Sequence, residues 1–353
     1  MSAMLPEWTT ARPDWGKRIV AKQSLMPCEP LFPEVAEIAL KIFNELILVD
    51  VMDSPKMGEV TLPWVLDFVA AIFGAYDPVE KKRLIREFFL LISKKNTKST
   101  IAAGIMMVAL ILNDRLSAEL IILAPTKEVA DNSFNPIRDF IAADPELQEM
   151  FNVSEHTKTV TNLGTNATLK VIAAESNAAA GKKASIILID EVWLFGKRSN
   201  AESMFREAKG GLASRPEGCV IYLSTMSDEV PCGVFKQLLD YARDVRDGIK
   251  IDKGFLPLIY EFPKWMIEAG EHLKTDNFYI TNPNLGASVD VDYLISEFNK
   301  VRDAGEESLR DFLAKHLNVE IGMNLRANRW AGAEFWLPQA KTFTLDKLIS
   351  QSD

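Results

Sequence analysis

Short, wholly apolar runs alternate with longer helical patterns through the middle of the chain. Residues 87–93 (EFFLLIS), 120–124 (LIILA), 185–189 (SIILI) and 220–223 (VIYL) are of strand length and apolar at successive positions. Strands apolar on both sides of the pleat are those covered above and below by helices, as in a mostly parallel sheet. Residues 100–113 (TIAAGIMMVALILN) are apolar on nearly every face, which predicts a buried helix. Residues 128–143 and 202–210 read as further helices, the second punctuated by Gly210 and Gly211. Upstream, residues 34–49 read as an amphipathic helix, and residues 63–74 (PWVLDFVAAIFG) as a short apolar one with a glycine stop. Residues 157–174 alternate on either side of Leu163-Gly164-Thr165-Asn166, a hairpin signal. From about Phe262 no apolar strand run remains, and residues 290–304 and 306–318 are the clearest helices. This pattern predicts an N-terminal helical segment over 1–60, an α/β core over 61–260 and a small helical lid or linker subdomain over 261–345.

Composition changes this picture little. With 48% apolar and 25% charged residues the balance is that of an ordinary globular protein. Every apolar run is broken by charge well before about eighteen residues, so no membrane span is expected. The first twenty residues lack the apolar core of a signal peptide. Cys28, Cys219 and Cys232 show neither metal-ligand spacing nor an even framework, which fits a reducing cytoplasm. A net charge of −9 argues against passive coating of nucleic acid. It leaves open a ring that turns a few basic side chains toward a duplex, because only the local field matters there.

The segment with most chemistry is Ser93-Lys94-Lys95-Asn96-Thr97-Lys98-Ser99-Thr100, between a buried strand and a buried helix. That context suits a phosphate-binding loop, since the helix start points free N–H groups and a positive dipole at an anion. Lys98 would reach the β- and γ-phosphates of ATP, and the hydroxyl of Ser99, with Thr100 as the weaker candidate, would hold Mg²⁺. Ile92 and Thr97 stand where the general motif has glycines, and a solvated basic turn is the bland alternative. A second signal is Asp190-Glu191 at the end of an apolar strand. Alternation in a strand would turn one acid to the metal and the next to the attacking water. Asp190 is then the Mg²⁺ ligand and Glu191 the group that polarises water. Ser224-Thr225 closes the next strand, where this ATPase class carries a polar sensor. Together the three segments predict a P-loop ATPase of the ASCE, RecA-like kind.

In this order and spacing the residues resemble the large terminase subunit of tailed bacteriophages and prophages. Ser93 to Ser99 resembles that family's phosphate loop, Leu188 to Glu191 its Walker B strand, and Ser224-Thr225 its coupling motif. Ala124 to Ala130 looks like the segment after another motif strand. Asn282-Pro283-Asn284-Leu285-Gly286, with Phe312-Leu313 and Leu317-Asn318, resembles its lid. The resemblance covers roughly residues 60–340. It implies an ATP-driven motor that moves double-stranded DNA into a procapsid in the host cytoplasm, as a homo-oligomeric ring with a portal protein and a small terminase subunit. It also implies roles for Lys94 at the γ-phosphate, where the family often has arginine, for Lys95, Asn96 and Thr97 along the phosphates, and for Trp64 at adenine. Val65 stands where a glutamine would read the base, and residues 178–181 lack the arginine finger that often precedes Walker B. Lys182, Lys183, Arg206 and Arg215 are the alternatives. The family's nuclease domain is expected to begin after a linker starting near 346, so no nuclease is expected within these residues. A helicase-like translocase and a nucleotide-binding scaffold with little hydrolysis are the competing readings.

Overall fold

A computed structural model describes residues 7–174 and 184–322. The N-terminal segment supplies α1 (Trp15–Val20), α2 (Pro33–Glu45), α3 (Met57–Val60) and α4 (Pro63–Phe73). Both α2 and α4 open on a proline, whose fixed φ and missing N–H cost nothing in a first turn. The second helix stops at Glu45, short of the expected 49, where Ile47 turns into a bridge with Lys56. A two-stranded ribbon, β1 (Tyr76–Asp77) and β2 (Lys82–Arg83), leads into the core.

There the chain runs β3 (Glu87–Leu91), α5 (Lys98–Ile111), β4 (Glu119–Ala124), α6 (Lys127–Ala143) and α7 (Pro145–Met150). Next come β5 (Phe151–Ser154), β6 (Thr159–Asn162), β7 (Thr168–Ala173) and β8 (Ala184–Ile189). The core closes with α8 (Val192–Phe195), α9 (Ala201–Gly210), β9 (Cys219–Ser224), α10 (Gly233–Arg246) and β10 (Phe255–Ile259). Beyond it lie α11 (Lys264–Glu268), α12 (Val291–Ala304) and α13 (Glu306–Leu317).

Eight strands form one sheet in the order β10-β3-β9-β8-β4-β7-β6-β5. Neighbours are parallel from β10 to β7, and β6 and β5 continue the sheet antiparallel. Because β9 lies between β3 and β8, the strand before the basic loop, the one ending in Ser224 and the one ending before Asp190 finish side by side. That is the ASCE arrangement of the P-loop α/β fold. Alternate residues of β3 serve two cores: Phe88 and Leu90 pack with α4, α5, α6 and the later helical segment, Phe89 and Leu91 with α8, α9 and α10. Helices thus cover both faces, as the apolar strands predict.

The later helical region shares the first of these cores, contributing Phe278 from a short turn before α12, Phe298 from α12 and Phe312 from α13. Helix α5 also packs on α2 through Gly104, where a Cβ would lie 2.6 Å from the Phe43 ring. Several elements escaped the sequence pattern, among them one strand and one long helix of the core. Strand β10 contains Pro257, which has no N–H to give, and it is tolerated because β10 is an edge strand. Helix α10 is too polar on its outer face to stand out from hydropathy alone.

Candidate active site

Strand β3 delivers the chain to the basic loop with Ile92 N–H donating to Ser224 O at 3.0 Å. The loop then turns left-handed twice, at Lys95 (φ 70°) and Thr97 (φ 58°). The shape that glycine would give is therefore kept by a threonine, at a cost on the order of 1–2 kcal/mol. What holds it comes from far along the chain. Asn284 Nδ2 donates to Thr97 Oγ1 at 3.2 Å, and the Thr97 hydroxyl donates to Asn96 O at 2.8 Å. Asn96 is fully buried: its amide lies 2.9 Å from Asn282 Oδ1 and 3.1 Å from Ser93 O, and its Oδ1 accepts Asn284 N–H at 3.1 Å. The Lys94 N–H donates to Lys315 O at 2.9 Å, at the end of α13. Segment 281–284 and α13 together clasp the loop from outside.

The clasp leaves the inner side of the loop open. Among the described residues, the N–H groups of Lys95, Asn96, Thr97, Lys98, Ser99 and Thr100 donate to nothing. The Ser93 hydroxyl is buried without a partner in the same loop. Successive N–H groups bent inward by left-handed turns at a helix start form an anion-binding nest.

Facing Lys98 are the two carboxylates. Asp190 is fully buried, with Oδ1 accepting Glu191 N–H at 2.9 Å and Oδ2 lying 3.1 Å from the Ser133 hydroxyl. Burial, then the neighbouring Glu191, pushes its pKa up to about 6, with Lys98 opposing. The expected opposite-face arrangement is not what forms. The chain turns left-handed at Glu191 (φ 48°), off the end of the strand, and the residue becomes the N-cap of α8. This swings its carboxylate back over the loop, where Oε1 is 3.2 Å from Lys98 Nζ. Its Oε2 accepts the Trp193 indole N–H at 2.6 Å and lies 3.5 Å from the Thr225 hydroxyl. Ser224 Oγ accepts the Trp193 backbone N–H at 3.1 Å. Sequence reading missed Ser133 and Trp193: neither belongs to a motif, and Ser133 reaches Asp190 from α6, 57 positions away.

The other candidates are distributed around this centre. Ser99 and Thr100 stand half-buried in the first turn of α5, Lys95 is exposed, and Asn96 turns its side chain to the clasp rather than to the open side of the nest. Lys94 is half-buried, and burial, then Lys315 and Lys98, holds its pKa below the usual lysine value. Trp64 donates its indole N–H to Asn284 Oδ1 at 2.8 Å. It lines a cavity of about 390 Å³ with Gln23, Asp67, Tyr260, Tyr279 and Pro283. Val65 points into the core and does not line that cavity; Gln23 does. Arg206 pairs with Glu202 and borders a cavity beside Glu87, at the start of β3 and away from the loop. The carbonyl of Arg215 accepts from Arg86, just before that strand, so neither arginine sits at the nest. Lys182 and Lys183 lie outside the described residues.

The structure is similar to that of the HK97 bacteriophage large terminase, with a TM-score of 0.68 and 20% identity over 81% of this chain. This chain spans 55% of that one. It also matches the Thermus phage P74-26 large terminase ATPase domain, at TM-score 0.43 and 13% identity over 66% of this chain and 88% of that one. A third match is the large terminase of another, thermophilic bacteriophage in complex with ADP, at TM-score 0.38 and 16% identity over 57% of this chain and 48% of that one. No curated protein matches the sequence. Over residues 63–244, more than half its length, the sequence matches the family described as terminase large subunit, ATPase domain. With the nest at Lys98 and the carboxylates of Asp190 and Glu191 all lying within that stretch, the chain belongs to the terminase large subunit ATPase family.

Proposed function

We propose that this chain binds ATP in the nest around Lys98, hydrolyses it, and in an assembled ring uses that cycle to drive double-stranded DNA into a procapsid. The observation that carries the reading is the open run of N–H groups from Lys95 to Thr100 with Glu191 3.2 Å from the Lys98 ammonium. Lys98 offers one ammonium to two anions, the Glu191 carboxylate and a phosphate. A β/γ-phosphate takes it by charge, and Glu191 is released to orient and deprotonate water. Asp190 suits Mg²⁺: among the described residues this fully buried carboxylate is hydrogen-bonded by the Ser133 hydroxyl and one backbone N–H, with the Lys98 charge nearby, and it favours a further cation there. Asp190, with Ser99, would hold Mg²⁺, which supplies charge neutralisation at the phosphates. Lys94, whose burial disfavours an uncompensated charge, gains most from an anionic γ-phosphate.

The Trp64 cavity is the nucleobase site in this reading, large enough for a flat ring and edged by Gln23 and Asp67. Ser224 and Thr225 connect Glu191 to the strand that also ties down the loop, and so couple hydrolysis to the lid. Partners are duplex DNA, the portal and the small terminase subunit in the host cytoplasm, with a basic finger from a neighbouring copy. No helix among the described residues is long and apolar enough to cross a membrane.

The test is ATP turnover with and without duplex DNA, beside two variants. Lys98→Ala should lower ATP affinity in calorimetry at least about tenfold, the scale of a lost charge-assisted bond. Glu191→Gln should still bind ATP while turning over roughly 10²–10⁴ times more slowly. Unchanged ATP binding by Lys98→Ala would refute the assignment of the loop.

A further inference from the structure

We infer that Trp193 is the positioning residue of Glu191, its indole N–H fixing the carboxylate that orients water once Lys98 has turned to phosphate. The inference rests on the role proposed for Glu191. That side chain leaves a left-handed backbone position and has two holders: Lys98 on Oε1 at 3.2 Å, and the Trp193 indole on Oε2 at 2.6 Å. The first holder is also the phosphate-binding lysine, so it is withdrawn when it is most needed. The second does not titrate in the working range of pH and carries no charge that a phosphate could claim. Thr225 adds only a long contact, at 3.5 Å.

The indole is itself pinned. Its backbone N–H donates to Ser224 Oγ at 3.1 Å, its ring is buried with Phe195 and Phe235, and Lys197 Nζ lies 5.2 Å from the ring centre. Lys197 in turn is held by Asp228 at 2.9 Å. A donor with so few free torsions sets the carboxylate plane and leaves Oε1 as the oxygen that faces water. Orientation of this kind appears in the rate of the chemical step and leaves ground-state binding alone.

The experiment is a double-mutant cycle on the full chain, read by single-turnover ATP hydrolysis and by ATP affinity. Trp193→Phe keeps an aromatic ring, smaller than the indole, and removes the donor. It should slow hydrolysis about 10- to 100-fold, the range set by one hydrogen bond to a charged group, with ATP affinity unchanged within about twofold. In the Glu191→Gln background the same substitution should cost less than about twofold, because its target is already gone. Full additivity of the two substitutions overturns the positioning role while leaving Glu191 as base. Glu191→Gln at the wild-type rate overturns both. If Trp193→Phe unfolds, 3-benzothienylalanine at position 193 keeps the bicyclic shape without the N–H, and a wild-type rate in that protein refutes the inference.

Discussion

Replacing Asp190 by Asn should stabilise the protein while abolishing its turnover. The wild-type carboxylate is fully buried, and its pKa rises from the ordinary 3.8 to about 6. Between those values the folded state binds a proton that the unfolded chain releases. The carboxylate therefore weakens the fold as pH rises through this window, and the penalty is complete above the folded value. A shift of this size corresponds to about 3 kcal/mol above pH 7 and about half that at pH 5. The amide fits without repacking. Its oxygen still accepts the Glu191 N–H, and its N–H₂ can donate to the Ser133 hydroxyl, which then donates to Val129 O at 3.0 Å. Calorimetric melts of both proteins from pH 5 to pH 8, in nucleotide-free buffer with a chelator, should show Asp190→Asn melting higher. The gap should roughly double from pH 5 to pH 8. A gap that does not change with pH, or a variant less stable at pH 8, would refute the reasoning. Adding Mg²⁺ and ATP should reverse the ranking, since only the carboxylate gains a cation.

Two further predictions concern the loop and its helix. Thr97→Gly removes about 1 kcal/mol of left-handed strain and also the bond from Asn284, so urea melts should move by less than about 1 kcal/mol. In an Asn284→Ala background that bond is already lost, although the hydroxyl's bond to Asn96 O is not, so the same change should be more favourable there than in the wild type by about 1 kcal/mol, and equal effects in the two backgrounds would contradict the brace. Gly104→Ala should destabilise by on the order of 1–2 kcal/mol despite better helix propensity, because the new methyl meets the Phe43 ring. Pairing it with Phe43→Leu should recover part of the loss, and no recovery would mean that the contact does not set the cost.

What the sequence made legible was whatever repeats locally. The apolar strands before Lys94, Asp190 and Thr225 mark themselves because a strand buried on both faces must be apolar throughout. The helix starting at Lys98 shows because its apolar run is long. Strand β10 was hidden by Pro257, a residue that normally argues against a strand and is acceptable only at an edge that local pattern does not reveal. The site divided in the same way. Motif spacing brought Lys98, Ser99, Asp190 and Glu191 to one place. It could not give the left-handed turn at Glu191, nor the donors Trp193 and Ser133, since these depend on which helix the sheet order lays over which strand. Alternation within a strand was the wrong rule for Glu191 because the strand has already ended there.

The clasp on the loop bears on how this protein can be altered. The conformation at Thr97 depends on an asparagine 187 positions downstream. Shape that a glycine would carry alone is here divided between two distant stretches of chain. A chimera that receives residues 93–100 without 281–284 inherits the charges but loses the brace for their geometry. In the reverse exchange, a glycine-bearing loop placed in this chain would relieve Asn284 of its bond to position 97 and leave it the task of holding Trp64. For protein engineers the unit of transplantation is thus the loop with its remote asparagines, and a search template written for the contiguous motif will pass over chains that solve the same problem this way.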